Sequence, residues 1–342
     1  MGYQKTRLSK LLTLSQMSLT NTDELFIIVR RKNGIISVGM KGATDIDTVT
    51  VYGISKSFNS TPVVDNISFN VRAGEIFGLI GPNGAGKTTT IRMIMDIIKP
   101  DSGYINILGE RLNELAKNRI GYLPEERGLY RKLTVMDSLV YLASLKGINR
   151  HQARRRAEEL LKRIDMLPHK DKKTEELSRG MGQLIQFLVT IIHDTQLVIL
   201  DEPFAGLDPV NTELLKDIIH ELRDQGKAII LSTHRMNEVE ELCDRIFMIN
   251  KGRNVLYGEL AEIKSKYRNN SILLELEGEL PDLEGITGKH EYRGHIELFF
   301  DNETSPQKIL EQLIQQGIKL NRFEVSTPSL NDIFLQLVES ER

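Results

Sequence analysis

Apolar positions in this chain fall into short runs of two kinds, and their order sets the fold class. Thr48-Val-Thr-Val-Tyr52 and Ile67-Ser-Phe-Asn-Val71 alternate apolar with polar residues, the period-2 pattern of strands with one buried face. Glu75-Ile-Phe-Gly-Leu-Ile80, Leu197-Val-Ile-Leu200 and Ala228-Ile-Ile-Leu231 are nearly continuous apolar runs, as expected of short parallel strands buried on both faces. Between such runs the period lengthens to that of a helix. Thr89 to Ile98 carries helical spacing and is closed by Pro100, and Val135 to Leu145, Arg150 to Ile164 and Val210 to Gln225 repeat it. Residues 126–180 read as mainly helical. Strands alternating with helices predict an α/β fold around a parallel sheet.

After about residue 260 the texture changes. Ser271 to Leu276, His295 to Phe300 and Ile318 to Val325 read as strands. Ser305-Pro306 opens a helix to Gln316, with serine placed as a cap and proline in the first turn. Leu330 to Val338 reads as a terminal amphipathic helix. The pattern predicts a small α+β domain over residues 259–342, behind a main domain over 48–258. Residues 1–47 hold one strand-like run, Glu24-Leu-Phe-Ile-Ile-Val-Arg30, and no catalytic-looking residue. They are expected to form a peripheral, poorly ordered extension.

Composition narrows the class. The 342 residues suit about two domains, and 40% hydrophobic with 27% charged residues is ordinary for a soluble globular chain. A formal net charge of −2 provides no global field toward nucleic acid or an anionic membrane surface. The basic run Arg154-Arg155-Arg156 stands beside Glu158 and Glu159 in a predicted helix, so it reads as a solvated face and no nucleic-acid partner is expected. Cys243 is the single cysteine, which excludes an internal disulfide framework and fits a reducing compartment. No uninterrupted apolar run reaches the roughly 18 residues of a membrane span, so a membrane role must pass through a partner.

The candidate chemistry begins at Gly81-Pro82-Asn83-Gly84-Ala85-Gly86-Lys87-Thr88, which satisfies the phosphate-loop pattern between a buried strand and a helix opening at Thr89. Glycines let the backbone wrap phosphate oxygens, so that successive N–H groups and the helix N-terminus meet the negative charge. Lys87 should reach the β- and γ-phosphates of a nucleotide, and the Thr88 hydroxyl should ligate magnesium. Kinases, GTPases and motor proteins share this loop, so the decision lies downstream. The strand Leu197 to Leu200 ends in Asp201-Glu202, which can direct Asp201 toward magnesium and Glu202 toward the water that attacks the γ-phosphate. Leu231-Ser-Thr-His234 places a histidine just past another buried strand. In a parallel sheet all three elements meet at the carboxyl ends of strands.

Leu177-Ser178-Arg179-Gly180-Met181 stands shortly before the acidic strand and is similar to the signature of ABC ATPases, usually read L-S-G-G-Q. Together with the phosphate loop, Asp201-Glu202, Gly206-Leu-Asp208 and His234, it makes residues 48–258 resemble the ABC ATPase family. The resemblance implies a P-loop NTPase core of mixed sheet with a helical subdomain at about 126–180, followed by the α+β accessory domain. It also implies ATP and Mg2+ as cofactors, and a head-to-tail homodimer that sandwiches ATP between one chain's phosphate loop and the other's signature. On that carry-over Ser178 and Gly180 contact the γ-phosphate across the dimer and Asp208 communicates between sites. His234 holds the γ-phosphate and attacking water, and Phe58 stands where the family stacks an aromatic ring on adenine.

Three positions depart from the family pattern. Glu125, in Ile120-Gly-Tyr-Leu-Pro-Glu125, replaces a glutamine that serves as magnesium and coupling ligand. It keeps an oxygen donor but adds charge. Arg179 and Met181 replace glycine and glutamine in the signature, and Arg179 is placed either to touch nucleotide phosphate or to face solvent. The run Gly121 to Tyr130 also resembles the type-2 exporter branch of sodium and multidrug efflux ATPases, whose accessory domains end in a phrase like Pro328-Ser-Leu-Asn-Asp-Ile-Phe334. That points to an ATPase subunit on the cytoplasmic face of the membrane, peripheral to a separate permease. A soluble ABC protein acting on ribosomes or DNA ends is the alternative, but the chain has neither a second nucleotide domain nor a long coiled-coil insertion. An ordinary P-loop kinase leaves the signature and His234 unexplained.

Overall fold

The computed structural model describes residues 24–31, 34–41, 47–126, 128–267, 270–326 and 328–340. β1 (Glu24–Arg31) and β2 (Gly34–Lys41) pair antiparallel, with Glu24 opposite Lys41. The strand-like run 24–30 falls within β1; the rest of the N-terminal extension, residues 1–23, 32–33 and 42–46, lies outside the described residues. β3 (Val49–Phe58) and β4 (Thr61–Val71) form a second antiparallel pair. β5 (Ile76–Ile80) leads into α1 (Lys87–Ile94), and β6 (Ser102–Ile107) returns to the free side of β3. α2 (Glu114–Lys117) and β7 (Ile120–Leu123) precede three longer helices: α3 (Val135–Leu145), α4 (Arg150–Arg163) and α5 (Arg179–Ile191). Then follow β8 (Leu197–Asp201), α6 (Pro209–Asp224), β9 (Ala228–Thr233), α7 (Met236–Leu242), β10 (Arg245–Asn250), β11 (Arg253–Glu259) and α8 (Leu260–Lys266).

These elements stack in layers. A six-stranded sheet has the order β11-β10-β5-β9-β8-β7, parallel except for β11 at the edge. Its apolar runs are continuous because both faces are covered. In β5, Phe77 and Leu79 point to the core shared with the β4-β3-β6 sheet, whereas Ile76 and Ile80 point to the helices. β8 does the same with Leu197 and Ile199 against Val198 and Leu200. Phe69, Phe77 and Phe247 lock the two sheets together, with ring centroids 5.2 Å and 5.0 Å apart about Phe69. The predicted α/β class is the one found.

Helix starts follow local capping chemistry. The Thr134 hydroxyl accepts from the Asp137 N–H at 3.0 Å and the Asn149 carbonyl oxygen from the Gln152 N–H at 2.9 Å, opening α3 and α4 where the periodicity placed them. α1 is shorter than the predicted run to Ile98. It ends at Ile94 because Asp96 turns left-handed, with φ 58°, well before Pro100.

The C-terminal sheet has the order β13-β14-β12-β15, all antiparallel, formed by β12 (Ser271–Glu277), β13 (Ile286–Tyr292), β14 (His295–Phe300) and β15 (Lys319–Val325). α9 (Pro306–Gln315) lays Ile309 and Leu313 on one face, against Ile272, Leu274, Leu298 and Phe300. β13 escaped the sequence reading because it is a mostly exposed edge strand with little apolar alternation. α10 (Leu330–Ser340) begins where predicted but packs elsewhere. Its fully buried Leu330 and Ile333 join the core of the large unit, with Val239 and Leu242 of α7. The Leu330 N–H donates to Glu240 of α7 at 2.6 Å, and Glu240 is also paired with Lys264.

Because Ile333 belongs to the larger core, Ile333→Ala should destabilise the unit that carries the phosphate loop by about 2–5 kcal/mol. The urea midpoint for loss of nucleotide binding by the full-length chain measures this.

Candidate functional site

Parallel pairing brings the candidate residues together. Ile80 of β5 is in register with Thr233 of β9, and Ser232 of β9 with Asp201 of β8. The phosphate loop, His234 and Asp201-Glu202 therefore leave three adjacent strands at one sheet edge, as open α/β sheets arrange their ligands. A cavity of about 300 Å³ lies there. Asn83, Gly84 and Gly86 to Thr89 form one side, Glu125, Asp201 and Glu202 the other, and Val63 closes it.

The loop is held by backbone that only glycine tolerates. Gly86 has φ 112°, and a Cβ there would lie 2.8 Å from the Val63 carbonyl oxygen. The Lys87 ammonium folds back on its own loop, donating to the carbonyls of Gly81 at 2.8 Å and Pro82 at 3.2 Å. Burial lowers its pKa, opposed by the negative field of Glu202, Asp201 and Glu125. The same side chain lines the cavity.

Asp201 is 1% exposed at the end of a strand buried throughout. Its Oδ2 accepts from the Thr88 hydroxyl at 3.2 Å, and its Oδ1 has no hydrogen-bond partner among the described residues. Burial raises its pKa; the Ser232 and Thr88 hydroxyls pull it down, while Glu125 and Glu202 push it further up. A buried carboxylate with an idle oxygen beside a threonine hydroxyl is a donor set for a hard cation.

Glu202 adopts φ 50°, a left-handed conformation that is strained for a residue with a side chain. That twist turns its carboxylate onto β9. Oε1 accepts from the His234 backbone N–H at 3.1 Å and from ring Nδ1 at 2.7 Å. With Nδ1 as donor, the ring's Nε2 is left for a ligand. Oε2 accepts from the Thr233 hydroxyl at 3.3 Å, which lies equally far from Glu238 and can serve one carboxylate at a time. Burial raises the pKa of Glu238. Thr233, Arg235 and Glu238 were missed by sequence reasoning, since they match no phosphate motif; their adjacency to His234 was the available signal.

Other sequence-predicted residues lie apart from this cavity. Phe58 is 46% exposed at the end of β3, with the Lys56 ammonium 5.7 Å from its ring, and does not line the cavity. Ser178 is the N-cap of α5, accepting from the Met181 N–H at 3.3 Å, and neither it nor Gly180 lines the cavity. Asp208 caps α6 by accepting from Asn211 at 3.0 Å and 2.6 Å, bonds that lower its pKa. One chain thus assembles the loop, the acids and the histidine, and leaves Ser178 and Gly180 outside the phosphate cavity.

Residues 64–205 match the family described as ABC transporter, and residues 258–338 match the C-terminal domain of DrrA1-3-like ATP-binding proteins. YhaQ, an ABC transporter ATP-binding protein of Bacillus subtilis, is 41% identical over 293 residues, 85% of this chain and 98% of its own length. The chain belongs to the ABC transporter ATP-binding proteins. Nod factor export ATP-binding protein I of Mesorhizobium japonicum is 33% identical over 321 residues, 92% of this chain and 94% of its own. A solved structure described as the ATP-binding subunit of an ABC transporter superposes with a TM-score of 0.61 at 31% identity, covering 64% of this chain and 93% of that one. As an ABC transporter subunit the chain is an ATPase that drives transport. No helix among the described residues is long and apolar enough to cross a membrane.

Asp201 marks a stability cost of this ATPase site. Its folded-state pKa lies above the unfolded one, so between them the folded chain holds more protons, and stability falls as pH rises through the folded-state value. Asp201→Asn removes that loss. Without nucleotide or magnesium the variant should melt above the parent near neutral pH, with the gap closing below the ordinary carboxylate range. Thermal unfolding from about pH 4 to about pH 8 checks it.

Proposed function

We propose that this chain is the ATPase of an exporter, working as a homodimer at the cytoplasmic face of the membrane beneath a separate permease. The observation that carries the reading is the Glu202–His234 pair set beside the phosphate loop while Ser178 and Gly180 of the signature stay outside the cavity. A site built this way is completed by a second copy, whose Ser178 and Gly180 reach the γ-phosphate. Ser178 at the N-terminus of the 13-residue α5 offers a hydroxyl and unpaired N–H groups for that contact. The export direction is supported by relatives named for Nod factor export and linearmycin resistance.

Magnesium fits the donor set of Thr88, Asp201 and Glu125, where it would neutralise phosphate charge when bound. Among the described residues no three His, Cys, Asp or Glu side chains form a metal cage of their own, and a magnesium ion held here would take further oxygen ligands from nucleotide phosphate and water. We assign Phe58 to stacking on adenine at the rim of the site and the loop Gly81 to Thr89 to wrapping the phosphates. In hydrolysis a water oxygen bonds to the γ-phosphorus and the bond to the β–γ bridging oxygen breaks. ADP leaves with that electron pair, and Glu202 takes the water proton. His234 holds Glu202 in place through Nδ1 and offers Nε2 to the γ-phosphate. Asp208, fixed at the start of α6, relays closure between the two sites.

The permease contact is assigned to the helical part. A groove of about 710 Å³ there is lined by Leu133 and Val140, by the half-exposed rings of Tyr130 and Tyr141, whose centroids are 5.5 Å apart, and by Arg131 and Lys132. An apolar groove with tyrosine rims suits an amphipathic helix of a partner.

Glu202→Gln should cut ATP turnover by about 10²-fold or more while ATP binding persists, so that a stable ATP-bound dimer accumulates on gel filtration. Retained turnover would remove Glu202 from this role. Lys87→Ala should instead weaken ATP binding itself, read by nucleotide titration.

A further inference from the structure

Arg179 does not follow its signature neighbours. It is the first residue of α5, yet its side chain lies along the loop that follows Glu202 in the same chain. A Cβ on Gly206 would fall 2.7 Å from Arg179 Nε, 2.8 Å from Cδ and 3.0 Å from Cγ, so the arginine stem rests on bare glycine backbone. Gly180 is close as well, since its Cβ would lie 3.2 Å from the Gly206 carbonyl oxygen. Glycine at 206, with φ 78°, is what admits this approach.

The arginine lines a second cavity, of about 340 Å³, with Gly206, His234 and Arg235. That cavity shares Asn83, Glu125 and Glu202 with the phosphate cavity, so the two adjoin on the side where the γ-phosphate would be cut. Its cationic groups are not equivalent. The His234 ring is engaged by Glu202 at 2.7 Å and Arg235 by Glu238 at 2.9 Å. Arg179 has no hydrogen bond or ion pair among the described residues.

Resting on the ATPase reading above, we propose that Arg179 binds, in its own chain, the inorganic phosphate cut from ATP, and so controls phosphate release. The charge sequence favours this. Before cleavage Glu125 and Glu202 face Arg179 across the cavity. Cleavage leaves a phosphate anion beside the cavity that Arg179 lines. Its guanidinium, without a protein partner among the described residues, offers that anion a planar donor fork that suits phosphate oxygens. Ser178 and Gly180 act across the dimer, whereas Arg179 acts within the chain. One signature thereby touches both sites.

The test is titration of inorganic phosphate into the full-length chain loaded with ADP and magnesium and kept monomeric by dilution. Arg179→Gln should raise the phosphate Kd roughly 10-fold or more, the size of one charge-assisted contact, while Arg179→Lys loses less and ADP affinity is unchanged in both. Thermal unfolding shows that the variants are folded. Unchanged phosphate affinity in Arg179→Gln, or absence of phosphate binding by the ADP-loaded parent, overturns the proposal. So does a mixed dimer in which phosphate inhibition of turnover weakens only when Arg179→Gln sits opposite the chain with intact Glu202. A parent chain that binds no ADP would overturn it together with the ATPase reading, which separates the two failures.

Discussion

Parallel pairing of β5, β9 and β8 is the constraint on which the rest of this structure depends. It sets Ile80 against Thr233 and Ser232 against Asp201, and so brings segments more than a hundred residues apart in sequence to one edge. Parallel strands need cover on both faces, which the β4-β3-β6 sheet and the helices supply. A one-residue slip of β8 would exchange Val198 and Leu200 for Leu197 and Ile199 across the sheet and turn Asp201 away from Thr88. Both apolar faces therefore enforce the register on which the chemistry relies.

Within that frame the site is built from groups held against their preferences. Asp201 is ionisable and buried, Lys87 is a cation drawn out of water, and Glu202 sits in a left-handed backbone. Such tensions suit a site that binds ATP, as the family does. The surrounding core, continuous and fully covered, sustains the strain. The charge changes at Glu125 and Arg179 fall on this same edge, around one cavity.

Much of this was readable from the chain because it is local. Gly81 to Thr88 carries its own geometry, and a buried strand ending in Asp201-Glu202 can deliver those acids to one side only. The cap residues Thr134, Asn149 and Ser305 likewise announce their helices. What stayed hidden depends on distant contacts or backbone detail. β13 shows little alternation because its strand lies at an exposed edge. α1 stops at a left-handed Asp96 that no periodicity reveals. The amphipathic pattern of α10 predicts a helix but not the surface it covers. The course of Arg179 depends on Gly206, whose role appears only when the two loops meet.

The seat of α10 also bears on how the chain comes to be folded. Leu330 reaches Glu240 across 90 residues of sequence, and Leu330 with Ile333 fills a core that also holds Val239 and Leu242. α7 begins two residues after His234. During synthesis from the N-terminus, the phosphate loop, acids and histidine all emerge from the ribosome before the helix that covers α7. The nascent nucleotide unit therefore keeps an apolar face open until α10 is made. Long-range closure of this kind is slow relative to local helix formation. α10 thus acts as a clasp: a chain cut before it keeps the phosphate loop, Asp201, Glu202 and His234 and lacks the seal over the helix behind His234.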